Sequence, residues 1–264
     1  MTALLENEIL LIIGIIVLAL GGYKLKALAV SGAFGTFLVG MLIALGFKGY
    51  GLVLIGLFFV TSSLWSKYNR KQKEKIIDMH EKGSQRDIFQ VFANGGVPAL
   101  IGILAYVFPG DFWIYGFIVS IAVANSDTWA SEIGSLSKKR PLSLMKMKTV
   151  EPGTSGAISV QGTLAAVAGS ALISVASSFL WSEITMELVF FITAMGVVGC
   201  FIDTFLGATV QSDYQCKVCG KHVERKEHCQ QPTRLVKGKV WVNNDVVNIA
   251  SIFIASMITI LVLM

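Results

Sequence analysis

An all-α fold, a polytopic bundle of about eight transmembrane helices with both termini on the non-cytoplasmic side, is what this sequence predicts. Three observations carry that prediction. Of the 264 residues, 54% are hydrophobic and only 15% charged, with a mean hydropathy of +0.67, whereas about a quarter of an average soluble domain is charged. The apolar residues come in long blocks rather than at amphipathic spacing, and blocks of about 20 are what a spanning helix needs. A membrane β-barrel would instead alternate over segments of about 10 residues. Finally, Lys and Arg concentrate in alternate loops, as in a chain that crosses a membrane repeatedly.

The expected spans are 8–23, 27–46, 50–66, 88–108, 111–133, 157–180, 187–210 and 241–264. The first follows "MTALLENE", which carries Glu6 and Glu8 and no positive residue. A signal peptide wants a basic start and a small-residue cleavage site, so this segment reads as the first membrane helix. Loops 1–2, 3–4, 5–6 and 7–8 hold two, seven, five and seven of the 22 Lys and Arg, leaving only Lys48 on the other face. The positive-inside rule puts the rich face in the cytoplasm. The chain is therefore expected to be one transmembrane domain, 1–264, with cytoplasmic loops at about 67–87, 134–156 and 211–240. Its expected location is the cell membrane of a prokaryote. The net charge of +5 is a topology signal, and no nucleic-acid partner is called for.

The fifth span ends in "ANSDTWASEIG" (124–134), which packs Asn125, Ser126, Asp127, Thr128, Ser131 and Glu132 into eight positions. Ionisable groups at membrane depth are expensive and mark functional sites. At 1.5 Å per residue, Asp127 lies roughly 24 Å down the fifth helix, and Asp203 of "CFIDTFLGATVQ" (200–211) roughly 24 Å down the seventh. In "WVNNDVVNIAS" (241–251), Asn244, Asp245 and Asn248 lie about 5–10 Å in from the cytoplasmic face, as does Asn94 of "FANGG" (92–96) at about 6–10 Å. Four helices thus contribute to one polar layer in the cytoplasmic third. Ser126, Ser131 and Asn248 are also open to a simpler reading, as hydrogen-bonding glue between helices. That reading does not extend to Asp127, Glu132, Asp203 and Asp245 together, because no Lys or Arg lies inside a helix to neutralise them. Four acids without internal cations suggest a divalent metal, and oxygen-only ligands suggest Mg²⁺.

Loop 5–6 contains "GTSG", Gly153, Thr154, Ser155 and Gly156, expected to open the sixth helix, with Lys146 and Lys148 just before it. A Gly-rich turn at a helix N-terminus binds anions through its N–H groups, although Gly, Thr and Ser also make ordinary caps. Beside a carboxylate layer, the turn suits a metal-nucleotide. Loop 7–8 carries "CKVCGKHVERKEHC" (216–229). Cys216 and Cys219 form half of a zinc knuckle, which Cys229 with His222 or His228 would complete. In a reducing compartment a structural disulfide is disfavoured; inert surface cysteines and a thiol switch are the other readings of this loop. Cys200 reads as packing.

The runs "NGG", "NSDTWASEIG", "GTSGAISVQGT", "DTFLGATVQ" and "NNDVVN" resemble a widespread integral-membrane family whose members include plant phytyl-phosphate kinase and animal transmembrane proteins. More distantly, the arrangement is similar to CTP-using membrane enzymes such as dolichol kinase and CDP-diacylglycerol synthase. Lys148, Thr149, Glu151, Gly153 and Gly156 match their "K-T-x-E-G-x-x-G"-like loop, with Pro152 inserted between Glu and Gly. The resemblance implies an Mg²⁺-dependent kinase that uses a nucleotide such as CTP to phosphorylate an isoprenyl phosphate from the bilayer. In that picture Asp127, Asp203 and Asp245 hold Mg²⁺. Lys148 and the 153–156 turn hold donor phosphates, and Glu132 binds metal or positions Lys148. Asn94, Asn125, Ser126, Thr128, Ser131, Gln211, Asn244 and Asn248 line the substrate site. A CDP-lipid-forming cytidylyltransferase would use the same acids. A transporter or flippase of a phosphorylated lipid is the alternative from another class. Transporters hold their site near the midplane, whereas this polar layer is one-sided, although "SDTWASEIG" and "IDTFLGATVQ" faintly echo each other.

Overall fold

The computed structural model describes residues 5–70, 72–73, 85–145 and 147–264; Lys146 lies outside them. Seven helices are described: α1 (Glu8–Lys24), α2 (Val30–Lys67), α3 (Ile88–Val107), α4 (Phe112–Gly134), α5 (Val160–Ser178), α6 (Met186–Thr209) and α7 (Asn244–Leu263). Five of them, α2, α3, α5, α6 and α7, are long and apolar enough to cross a membrane. The chain is a polytopic membrane bundle. The difference from eight spans has local causes. α1 has only 17 residues, α4 ends in the polar run, and the second and third expected spans are recorded together in the 38-residue α2.

A straight helix of that length would measure about 57 Å, nearly twice a hydrocarbon core. Lys48 interrupts it with φ 48° and ψ −140°, and the halves fold back on each other. A Cβ on Gly51 would run into Ile43 and Phe47, and Lys67 Nζ donates to Leu25 O at 2.7 Å, so both ends of α2 meet the corner after α1. Leu5 lies against Gly49, and Ile260 against Gly116. Both described ends of the chain therefore sit at the Lys48 end of the bundle. Lys67, Arg86 and the long loops gather at the other.

Helix starts follow their caps. The Asp87 side chain accepts from Gln90 N at 2.8 Å, while Gln90 Oε1 accepts from Asp87 N at 3.2 Å, a capping box that starts α3. Ser159 Oγ accepts from Gly162 N at 3.0 Å and starts α5 at Val160 rather than at 157. Asn243 Oδ1 accepts from Val246 N at 3.2 Å and starts α7 at Asn244 rather than at 241. Asn244 and Asp245 thus occupy the first turn of α7 instead of lying a turn inside it.

The expected all-α class needs one correction. Among the described residues, seven strands of two to four residues lie in the loops, where backbone groups cut off from a helix must pair with one another. Between α4 and α5, β1 (Leu142–Ser143) pairs antiparallel with β2 (Ala157–Ile158). Between α6 and α7, β3 (Asp213–Gln215) lies between β4 (His222–Val223) and β7 (Arg234–Lys237). There too, β5 (Glu227–His228) and β6 (Gln231–Pro232) form a separate hairpin.

At the centre stands α4. Every residue from Gly116 to Ser126 is buried, and α4 touches α2, α3, α5, α6 and α7. Phe117 stacks on Phe47 with ring centroids 4.1 Å apart. α6 comes close because Gly199 has no side chain; a Cβ there would strike Val123. Overpacking a buried contact costs about 1–3 kcal/mol. Gly199→Leu should therefore lower the thermal unfolding midpoint in detergent. Gly14→Leu on α1, where a Cβ meets nothing within 4 Å, should leave the midpoint unchanged.

Candidate functional site

A cavity of about 270 Å³ opens at the basic end of the bundle, among α4, α5, α6, the start of α7 and the two long loops. Four acids line it: Asp127 and Glu132 from α4, Asp203 from α6 and Glu224 from the cysteine loop. Ser131, Gly153, Thr154, Ser155, Gly156, Gln211 and Asn244 line it as well.

The polar run of α4 divides its work by helical face. Asn125 Nδ2 donates to Gly169 O at 2.7 Å and Ser126 Oγ to Ala166 O at 3.0 Å, bonding α4 to α5, while Thr61 Oγ1 reaches Asn125 Oδ1 from α2 at 3.3 Å. Thr128 Oγ1 donates to Ala124 O of its own helix at 2.8 Å. Asn125 and Ser126 thus hold helices together, Thr128 bonds back to its own helix, and none of the three lines the cavity. Asp127, Ser131 and Glu132 emerge on the open side, where α4 is no longer enclosed.

Asp203 is held from α7. Ser251 Oγ donates to its Oδ2 at 3.1 Å. Asn248, with its amide nitrogen turned that way, donates to the same oxygen at 3.0 Å and to Asn244 O at 3.2 Å. Asn248 thus supports an acid instead of lining the cavity. Asp127 has no hydrogen bond among the described residues. An oxygen-rich cavity with an unsatisfied carboxylate fits a hard divalent cation. Asp245, although next to Asn244, is not among the lining residues.

Glu132 has a partner that the sequence did not reveal. Lys73 Nζ lies 2.7 Å from Glu132 Oε2 and donates to Trp65 O at 2.7 Å; its side chain is only 4% exposed. Ser66 Oγ donates to Glu132 Oε1. A cation therefore does enter the acidic layer, from the loop after α2. Lys73 is one of seven basic residues there, and nothing in its local sequence sets it apart. Lys148, by contrast, is exposed and away from the cavity.

The 153–156 turn reaches the cavity but does not itself open a helix, because β2 follows it and Ser159 caps α5. Gly153 and Gly156 have φ of 88° and 76°, the left-handed region that glycine tolerates. A Cβ on Gly156 would also collide with the backbone of Ala208. The turn is thereby pressed against α6. From the other side Ser155 Oγ donates to Glu224 Oε1 at 2.9 Å, and Gln211 Nε2 donates to the same oxygen at 2.8 Å. Glu224 ties the cysteine loop to the turn. Its place in "HVERKEH" gave no signal of this. Asn94 lies elsewhere, in a second cavity among α1, α2 and α3.

The ligand atoms of Cys216, Cys219, His228 and Cys229 lie within 4.8 Å of one another, close to the edges of about 3.8 Å in a tetrahedron with 2.3 Å Zn–S bonds. Val218 N and Cys219 N donate to Cys216 Sγ at 3.4 and 3.5 Å. The Cys219 amide, with help from His228 and Val218, pulls the Cys216 thiol down to about 6 against the effect of burial. Burial and the neighbouring thiols push Cys229 up to about 11. Cys229 and Gln230, with φ of 51° and 59°, form the two-residue turn of the β5–β6 hairpin, so one ligand is presented from a left-handed position. His222 pairs with Asp213 at 2.8 Å instead.

The description "Integral membrane protein DUF92" matches residues 13–256. "Protein PGR" of Arabidopsis thaliana is 31% identical over 270 residues, spanning 92% of this chain and 91% of the relative. An uncharacterized membrane protein of Methanocaldococcus jannaschii is 38% identical over 195 residues, spanning 74% and 79%. "Protein VTE6, chloroplastic" of Arabidopsis thaliana is 27% identical over 267 residues, spanning 98% and 71%. No solved structure matches.

Breaking a buried ion pair from one side costs about 3–5 kcal/mol, because it strands the remaining charge. Lys73→Met should destabilise the protein by about that much in detergent unfolding. Adding Glu132→Gln should restore most of the loss. Equal instability of the single and double variants would show that Lys73 acts through packing.

Proposed function

Because the chain belongs to the DUF92 integral membrane family, we propose that it is a membrane-embedded phosphotransferase that converts an isoprenyl phosphate to the diphosphate at the cytoplasmic face, with a nucleoside triphosphate such as CTP as donor. The observation that carries this reading is one cavity joining Asp127 and Asp203 to the 153–156 glycine turn. Carboxylates for a metal and a glycine turn for phosphate oxygens are the two parts that phosphoryl transfer needs, since the protein mainly positions groups and stabilises charge. The resemblance to a family that includes plant phytyl-phosphate kinase supplies the acceptor class.

Asp127 and Asp203 hold Mg²⁺, which when bound neutralises the donor phosphates and the charge that develops in transfer. Ser251 and Asn248 fix the Asp203 carboxylate. N–H groups of the turn take donor phosphate oxygens, and Lys73 adds positive charge beside Glu132. An oxygen of the acceptor monoester attacks the γ-phosphorus, the bond from that phosphorus to the β–γ bridging oxygen breaks, and the nucleoside diphosphate leaves. The acceptor is already ionised near neutral pH, so no general base is needed.

Purified protein with Mg²⁺, an isoprenyl monophosphate and CTP should transfer label from the γ- but not the α-phosphate. Label from the α-phosphate would make it a cytidylyltransferase, and label from neither would favour transport. Asp127→Asn and Asp203→Asn should each reduce transfer by orders of magnitude. The double variant should be little worse, because groups acting as one unit are not additive. Asp111→Asn, at the far end of α4, should be silent.

The reading requires the basic end to face the cytoplasm, with the halves of α2 crossing separately. In intact cells a membrane-impermeant maleimide should label Glu183→Cys, in the α5–α6 connection, and not the wild-type chain, whose exposed Cys219 and Cys229 would lie inside. Labelling of the wild type from outside would invert the orientation.

The Cys216, Cys219, His228 and Cys229 set holds one structural zinc, and its task is to present Glu224 to Ser155 and Gln211. Elemental analysis of protein purified without chelator should give about one zinc per chain, the content expected of a closed four-ligand site. Stripping the metal should lower transfer as Glu224→Ala does. Metal-free protein with freely reactive thiols would remove the proposal.

A further inference from the structure

The second cavity, of about 60 Å³ among α1, α2 and α3, contains a cation that the site above does not use. Arg86 stands just before α3, and its backbone is clasped. Its N–H donates to Ala27 O at 3.0 Å, and its carbonyl accepts from Ala29 N at 3.0 Å. The carbonyl also occupies the space that a Cβ on Gly32 would fill. The local fold thus holds this residue in place from three directions.

The side chain turns into the bundle. The guanidinium carbon is 5.7 Å from the ring centre of Phe58 and 5.8 Å from that of Phe59. Those residues lie roughly 12–14 Å along the helix from Lys67, within the hydrocarbon layer of a spanning segment. Ile15 and Val39 continue the apolar wall, and Gln90, Asn94 and Thr36, whose hydroxyl donates to Gly32 O, are the polar groups beside it. Among the described residues the guanidinium has no hydrogen bond and no ion pair. Glu132 is the acid whose charge it feels, but the Glu132 oxygens are taken by Ser66 and Lys73. Gln90 Oε1 is occupied by Asp87 N, and its amide nitrogen has no partner among the described residues.

A guanidinium against apolar walls at membrane depth is costly without a counter-ion, and its planar fork matches phosphate. We infer that this cavity holds the head of a lipid phosphate, a phosphate monoester on a hydrocarbon tail, with Arg86 and the Gln90 amide on the phosphate and the tail along Ile15, Val39 and the phenylalanine rings. The space suits a head group and is too small for a nucleotide. The apolar wall favours a lipid over free phosphate. The site holds lipid whether or not the chain transfers phosphoryl groups. If it does, this is where the acceptor is captured from the bilayer.

Binding of dodecyl phosphate to purified protein in a neutral detergent, without nucleotide or Mg²⁺, tests the inference. Thermal stabilisation and calorimetry should show binding that inorganic phosphate and dodecanol do not reproduce. Arg86→Gln should weaken it at least tenfold. Gly56→Leu should do the same while leaving Arg86 intact; it fills the cavity at a position where a Cβ meets only Leu18 at 3.6 Å, and it decides the matter if Arg86→Gln does not fold. Unchanged affinity in Gly56→Leu, equal stabilisation by inorganic phosphate, or binding abolished by Asp127→Asn but not by Arg86→Gln would each overturn the assignment. Arg86-dependent binding in a protein that transfers no phosphate would leave this site standing and remove only the kinase reading.

Discussion

The structure depends on enclosing α4. A helix that carries Asn125, Ser126, Asp127, Thr128, Ser131 and Glu132 cannot present that end to lipid, because hydrocarbon satisfies no polar group. Its inner half is sealed by α2, α3, α5, α6 and α7, close enough that Asn125 and Ser126 bond directly to the backbone of α5. Only where the seal ends, at the basic end of the bundle, do Asp127 and Glu132 meet open space. The position of the cavity follows from how far the enclosure extends along α4.

A second dependence runs from the cysteine loop to the glycine turn. The turn touches α6 through Gly156 and Ala208, a contact that tolerates no side chain. Ser155 and Gln211 meet Glu224 on the far side. The four clustered metal-ligand residues thus lie in the segment that delivers Glu224 to the cavity. A small folded insert of this kind has little apolar core of its own, and a metal is the usual substitute.

The acids around the cavity are supported unequally. Glu132 has Lys73 and Ser66, Asp203 has Ser251 and Asn248, and Asp127 has no hydrogen bond from the described residues. Uneven satisfaction of this sort makes the least-supported carboxylate the natural place for a cation from solution. Arg86 is the mirror case, a cation without an acid, on the other side of the second half of α2.

Much of this was legible in the sequence, for physical reasons that act locally. Block hydropathy marks helices because the bilayer demands unbroken apolar length. Basic loops mark one face because their crossing is opposed. The polar run at 125–132 stands out because its burial is costly. The Cys-x-x-Cys spacing marks a knuckle because two residues between ligands suit one turn. Tertiary structure decided what depends on which helix stands beside which. Asn125 and Ser126 became bonds between helices while Asp127 and Ser131 faced the cavity, a division set by the position of α5. Asn248 serves Asp203 because α7 lies against α6, and His228 rather than His222 joins the cysteines because the β5–β6 hairpin folds toward Cys216. Lys73, Glu224 and Arg86 look like ordinary loop charges in the sequence; they are drawn inward by partners or cavities contributed by distant segments, and composition alone carries no record of such contacts.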